Sequence, residues 1–343
     1  MLSNRARTVL NILVDQHVHT ASPVSSEEIA RLSATKVSPA TVRSAMSQLT
    51  DEGYISRPHV SAGGIPSDLG YRCYVESLRE LPQLPFALRQ EIDQRLNQTE
   101  PDLQVWSQQC ASILAAITAN LAIVTVPQAS APRLRHIELV YLQEFLVLLI
   151  IVLQESRLLR RLLPMDEGID QDSLDRVAEK LNVHLGGLTR GEIEGNRMEL
   201  TPLENRVMRD SVVMLREAET SSSQEHYVHG LRLLLSQPEF SEGGRVKDLV
   251  SMLEERVLVE NVLSMAAGDK DVAIYIGEEN SPEALQHFGV IVCGYGIPDQ
   301  LGGTICVIGP TRMGYAQAIS GVRYLSSFMN HLLFGLHGGN PAG

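Results

Sequence analysis

Ser38-Pro39-Ala40-Thr41-Val42-Arg43-Ser44-Ala45-Met46-Ser47-Gln48-Leu49-Thr50-Asp51-Glu52-Gly53 carries both of its own boundaries. A serine at the N-cap accepts an orphan backbone N–H, and a proline at the first helical position gives up an N–H that has no intrahelical partner. Gly53 supplies the left-handed stop. Between them Val42, Ala45, Met46 and Leu49 recur at helical spacing and form an inward face. The outward face is Ala40, Thr41, Arg43, Ser44, Ser47 and Gln48, small and hydroxyl-rich with one arginine. A merely solvated helix face carries long charged side chains; this one does not.

Two shorter helices precede this stretch. Ala6, Val9, Leu10 and Leu13 mark one face of the first. Ser25 and Glu28 form a capping box for the second, which Ile29 and Leu32 bury, and 34–37 is the turn into the third. After Gly53 comes a short strand, Tyr54-Ile55-Ser56-Arg57. The loop Pro58-His59-Val60-Ser61-Ala62-Gly63-Gly64-Ile65-Pro66 turns on paired glycines, and Ser67 caps a fourth helix bearing Tyr71, Tyr74, Val75 and Leu78. Three helices with a glycine-containing ribbon make a winged helix-turn-helix pattern.

Beyond a proline-rich edge at 81–85 the pattern predicts helix over 86–121, broken near Glu100-Pro101. Three antiparallel strands follow within 137–163, broken at Gln143-Glu144 and at Gln154-Glu155-Ser156. Helices are expected at 172–185, 203–219 and 245–265, short strands at 272–277, 287–293 and 302–308, and a last helix at 313–333. Strands on both sides of a helical block predict an α+β, multidomain chain. The expected divisions are an N-terminal module at 1–80, a discontinuous α+β domain at 81–190 and 269–337, and an inserted, mainly helical domain at 191–268, whose amphipathic helices need a partner for their apolar stripes.

The chain has 343 residues, 44% of them hydrophobic and 20% charged, enough to bury a sizeable core. Its longest apolar run, 145–153, falls well short of the roughly 20 residues that span a bilayer. With no clean leader pattern, the expectation is a cytoplasmic protein without membrane association. The net charge of −12 speaks against non-specific coating of nucleic acid. That charge is unevenly placed: residues 1–78 hold seven basic and seven acidic side chains, whereas 79–343 hold 22 and 34.

Several catalytic and metal signatures fail. Cys73, Cys110, Cys293 and Cys306 have no zinc-ribbon spacing. His17-Val18-His19 and the pair His226 and His229 lack an acidic or thiol partner at ligand spacing. Gly294-Tyr295-Gly296 begins a dinucleotide fingerprint that Asp299 ends. Glu278 and Glu279, adjacent at an expected strand end, point to opposite faces and make no acid–base pair. Neither enzyme activity, nor a metal, nor a cofactor is expected.

The outward face of 38–53 suits a major groove, which needs small side chains and hydrogen-bonding groups. Thr41, Ser44 and Ser47 reach phosphates or base edges, and Arg43 suits guanine or a phosphate. Ser38 and the first backbone N–H groups anchor a phosphate. Arg57, His59 and Ser61 add candidate backbone contacts beside the ribbon. The same pattern also serves protein contacts in some winged helices, and the zero local charge balance leaves that reading open.

Pro23-Val24-Ser25-Ser26, Ser38-Pro39-Ala40-Thr41-Val42-Arg43, the 58–67 loop and Gly70-Tyr71-Arg72-Cys73-Tyr74-Val75 resemble the heat-inducible transcription repressor family HrcA. Pro238-Glu239-Phe240, Ile276-Gly277-Glu278-Glu279-Asn280 and Ile308-Gly309-Pro310-Thr311-Arg312-Met313 with Tyr315 are similar to that family's C-terminal signatures. The resemblance implies a winged helix, a GAF-like domain and a dimerising domain inserted into it. It implies a homodimer that represses chaperone operons from a double-stranded inverted-repeat operator, known as CIRCE, and that depends on a GroE-type chaperonin to reach its active fold. Heat then lowers the binding-competent fraction and weakens apparent affinity in proportion. An alternative is a ligand-sensing regulator whose GAF-like strands around 272–308 line a small-molecule pocket.

Four positions depart from the family pattern: Ser44 stands for asparagine, Val60 for threonine, Gly64 for arginine and Gly314 for aspartate. Loss of a ribbon arginine flattens the salt dependence of binding by about one unit of slope. Ser44 has a shorter reach than asparagine and relaxes base choice.

Overall fold

The computed structural model describes residues 2–34, 37–57, 62–78, 83–98, 102–129, 132–154, 158–165, 167–220, 225–240, 258, 272–281, 283–297 and 301–336. In chain order the helices are α1 (Asn4–Thr20), α2 (Ser26–Leu32), α3 (Pro39–Asp51), α4 (Asp68–Ser77), α5 (Phe86–Asn97), α6 (Leu103–Thr118), α7 (Gln171–Leu185), α8 (Arg190–Glu194), α9 (Pro202–Thr220), α10 (Leu231–Leu235) and α11 (Tyr315–Leu336). The strands are β1 (Ile55–Ser56), β2 (Ile65–Pro66), β3 (Leu121–Thr125), β4 (Gln128–Ala129), β5 (Leu134–Gln143), β6 (Leu146–Leu153), β7 (Leu158–Pro164), β8 (His226–His229), β9 (Ala273–Ile276), β10 (Phe288–Ile297) and β11 (Leu301–Pro310). The chain is mixed α+β and parts into two compact units, one of 1–126, 225–295 and 303–343, the other of 127–224 and 296–302.

In the first unit, α1, α2 and α3 close on Leu10, Leu13, Val14, Ile29, Val42, Met46 and Leu49, all buried. Ile55 and Pro66 pair across the β1–β2 ribbon, and Val24 bridges to Gly64. Leu32, expected to be buried, is 46% exposed, because this seven-residue helix turns Ser26 and Ile29 inward and leaves its last residue at the rim. The rest of this unit is an antiparallel sheet in the order β8-β3-β11-β10-β9. Leu121, Ile123, Val290, Val292, Cys306 and Ile308 pack one face against Leu234, Phe240 and Phe288. By strand alternation Ala122 and Val124 face the other way, where α6 lies against β3 and β8 and packs with α11.

The helix expected to reach 121 ends at Thr118. Ala119 takes a left-handed φ of 53°, so the chain stops and turns without the glycine that signals such a stop. β3 then begins, and neither it nor β8 was anticipated. Of the expected helix at 245–265 only Leu258 is described, helical and buried; the rest lies outside the described residues.

The second unit holds the three expected antiparallel strands, β5-β6-β7. Ile137, Leu139, Val147, Leu149, Ile151 and Leu163 on one face meet Leu174 and Leu181 of α7 and Val207, Met214 and Leu215 of α9. The compact units part at 126/127 and 224/225, whereas the texture placed the divisions at 190/191 and 268/269. The strands of 134–164 form a sheet of their own among the described residues, and they share one hydrophobic core with α7 to α9. The apolar stripe of α9 is therefore covered within its own unit rather than left for a partner.

Candidate nucleic-acid interface

The α2–α3 pair is set by local chemistry. Ser25 Oγ accepts from Glu28 N–H at 3.2 Å, while the Glu28 carboxylate accepts from Gln16 Nε2 at 3.0 Å. Ser38 Oγ accepts from Thr41 N–H at 3.2 Å and shares a 2.9 Å hydrogen bond with Thr41 Oγ1. Gly53, with φ +79°, ends the α3 turn, and Tyr54 N–H reaches back to Leu49 O at 2.8 Å. Pro39, Ala40, Arg43, Ser44, Ser47 and Gln48 are exposed and Thr41 is half-buried, while Val42, Ala45, Met46 and Leu49 are inside. The division of α3 into an apolar inner and a small polar outer face is therefore as the sequence indicated.

The individual candidates differ in what they are free to do. Ser44 and Ser47 are exposed and make no side-chain hydrogen bond among the described residues. Ser38 and Thr41 are occupied with each other and with the helix start, so their first task is to hold the end of α3. Arg43 is not free: Nη2 donates to Glu27 Oε1 at 2.7 Å and Nε to Ser26 Oγ at 3.3 Å, and both charged side chains are more than half exposed. The Arg43 hydrogen bond, with help from a backbone N–H and Ser26, lowers the pKa of Glu27. An exposed pair of this kind is weak and salt-screened, so a phosphate can take Glu27's place at small cost. Arg57 is half-buried at the end of β1, and its Nε is buried without a partner among the described residues. His59 and Ser61 lie outside the described residues, as does Val60.

Gly64 is more than a missing arginine. It is buried, and a Cβ there would lie 2.8 Å from Leu13 Cδ1, 3.0 Å from Ile55 Cδ1 and 3.1 Å from Met46 Cε. In this backbone a side chain at 64 starts toward the core, and the neighbouring Gly63 would meet the Val24 backbone at 2.6 Å.

The histidines and carboxylates weighed as chemistry resolve into structure. Buried His17 shares a 2.8 Å hydrogen bond from Nδ1 with Tyr71 Oη. Burial chiefly, then the nearby Arg312 charge, lowers its pKa, with Glu239 opposing. His19 is exposed and bonds to Asp15 O. His226 and His229 are the two ends of β8. Glu278 and Glu279 sit in a 3-10 turn, not at a strand end; Glu279 pairs with Arg72. The strands at 273–310 carry a face filled by Phe240 and Phe288, stacked 5.8 Å apart, where the ligand-sensor reading needs space. An open groove of about 340 Å³ lies elsewhere, lined by Leu88, Ile92, Ile113 and Ile117.

Sequence reasoning missed Arg312, Glu239, Arg72 and Glu279 as a group. They were visible only as separate fragments of the family motifs, Arg72 in the N-terminal set and the other three in the C-terminal one, since nothing local says that a side chain at 312 meets a carbonyl at 18.

Comparison with known proteins bears on the whole chain. The family model described as the HrcA protein C terminal domain matches residues 105–319. A heat-inducible transcription repressor HrcA of Dehalococcoides mccartyi is 37% identical over 343 residues, covering 100% of this chain and 99% of that protein. One of the same description from Herpetosiphon aurantiacus is 33% identical, covering 98% and 97%. Among solved structures, one described only as a hypothetical protein aligns with a TM-score of 0.63 at 20% identity, over 98% of this chain and 99% of that one, a likeness of fold alone.

Proposed function

The chain belongs to the HrcA family of heat-inducible transcription repressors, and from that premise we propose that it represses chaperone operons in the cytoplasm as a homodimer bound to a CIRCE-type inverted repeat. The N-terminal module is read as a winged helix-turn-helix, α3 as its recognition helix and β1–β2 as its wing. The observation that carries this is the exposed outer face of α3, where Ser44, Ser47 and Gln48 stand clear of the core beside an arginine held by a weak exposed pair with Glu27 and a hydrogen bond to Ser26. The sheet-containing remainder of the first unit is read as the GAF-like domain. A GroE-type chaperonin sets the active fraction, and heat lowers it.

The dimer reading is supported by the outer face of β5–β7. Register places Val140, Leu148 and Leu162 in one row, Glu138, Ile150 and Arg160 in the next, and His136, Val152 and Leu158 beyond. Leu158 and Leu162 are 66% and 54% exposed. Six of these nine residues are apolar, and a monomer rarely leaves a patch of this kind open. The middle row is self-complementary: a two-fold axis along β6 sets Arg160 against Glu138 of a second copy. The dimerising module is read as the unit that contains this face, 127–224.

The test is a gel shift on a CIRCE-type palindrome, a scrambled duplex and a single half-site, with and without chaperonin. Preference for the palindrome, lost in a monomeric variant, supports the reading. Equal binding to palindrome and scrambled duplex overturns it.

A further inference from the structure

The C-terminal signature segments converge on the back of the N-terminal module, all within the first compact unit. Arg312, in the turn after β11, donates from Nη1 to Val18 O at 2.9 Å. Val18 is in the last turn of α1, where carbonyls lack intrahelical partners and the helix end is negative, so a guanidinium is favoured there twice over. Glu239 holds that guanidinium through Nε and, at 3.1 Å, through Nη2; Arg312 and Glu239 are 14% and 23% exposed. A second tie joins α4 to the β9 turn. Arg72 pairs with Glu279 and donates from Nη2 to Ile274 O at 2.7 Å, while Ile276 N–H fixes the Glu279 carboxylate at 2.9 Å. Asp68 Oδ2 accepts from Glu278 N–H at 3.2 Å, against Gly277, whose φ is +57° and whose Cβ would fall 1.7 Å from that oxygen. Between the two ties, buried Tyr71 lies 6.0 Å from buried Tyr315, ring to ring.

We infer that Arg312, Glu239, Arg72 and Glu279 are positioning residues that dock the N-terminal module rigidly on the sheet-containing domain and so fix the half-site spacing the dimer accepts. This inference rests on the operator-binding reading above. Two modules on one duplex act as a bivalent ligand, and their effective concentration depends on how narrowly each is aimed. A module held only by its connecting chain samples many orientations and tolerates altered spacing. One held at the end of α1 and along α4 presents α3 at a set angle, and pays little ordering entropy on binding.

Arg312→Met keeps length and removes the donors and charge. In the full-length protein, amide exchange in the last turn of α1 and in α4 should rise about tenfold, with α3 unchanged. On a palindrome of matched spacing, binding should fall about tenfold. Binding to a single half-site should hold, so the preference for matched spacing over spacing shifted by half a helical turn should fall equally. Unchanged exchange, or an unchanged spacing preference, overturns the inference. Should Arg312→Met not fold by far-UV circular dichroism, the milder Glu239→Gln carries the same two readouts. A wild-type chain that ignores palindromes refutes the operator reading alone, and exchange then still decides whether the docking is rigid.

Discussion

Leu162→Glu is the sharpest probe of the proposed self-association surface. Strand alternation turns Leu162 outward while its neighbour Leu163, 2% exposed, faces the unit's own core. Leu162 is 54% exposed in the single chain. Burying a whole leucine side chain contributes roughly 1.5–3 kcal/mol, so covering the open half contributes about 1 kcal/mol. A two-fold interface contains the residue twice, which makes about 2 kcal/mol per dimer. A glutamate adds desolvation without a partner, at least about 1 kcal/mol per copy. The total, about 4 kcal/mol, weakens the dissociation constant roughly a thousandfold. Sedimentation velocity across a concentration series reads this directly, with far-UV circular dichroism as the check on folding. The control is Leu163→Glu, which puts the charge on the other face and should unfold the unit rather than merely split the dimer. A folded Leu162→Glu chain that sediments like wild type at every concentration would refute the reasoning, as would a wild type that never associates.

Three further outcomes are expected. Arg43→Ala should weaken palindrome binding about tenfold and reduce the salt slope by about one, read by titration at several salt concentrations; unchanged slope would show that Arg43 stays with Glu27. Gly53→Ala, at φ +79° with open space around its Cβ, should cost about 1 kcal/mol in chemical denaturation through backbone conformation alone. His17 is held below its usual pKa of 6.5, so the unfolded chain binds the extra proton first. Its contribution is full above about pH 6.5 and is lost as pH falls toward the folded value; His17→Gln should flatten that acid limb in urea melts.

Much of the candidate interface was legible in the residues themselves, and the reason is range. Ser25, Ser38 and Ser67 cap helices whose partners lie three residues away, and the inner and outer faces of α3 follow from period alone. The β5–β7 meander was equally plain, because its strands are neighbours joined by short polar breaks. What range hides is state. Arg43 reads as an open hand, yet Glu27, sixteen residues earlier, holds it. Gly64 reads as a lost arm, yet its missing Cβ points at Leu13 and Met46.

The sequence by itself determined where helices start, which faces are apolar and that the family is one of repressors, since capping, periodicity and motif are written in consecutive residues. Tertiary structure alone decided the rest. Leu121–Val124 is an unbroken apolar run that continues a helix as readily as it forms a strand, until β8, a hundred residues on, hydrogen-bonds to it. The unit boundaries at 127 and 224 follow from that pairing, and the Arg312–Val18 contact spans 294 residues. Such choices depend on which distant segments bury surface together, and no local pattern encodes that.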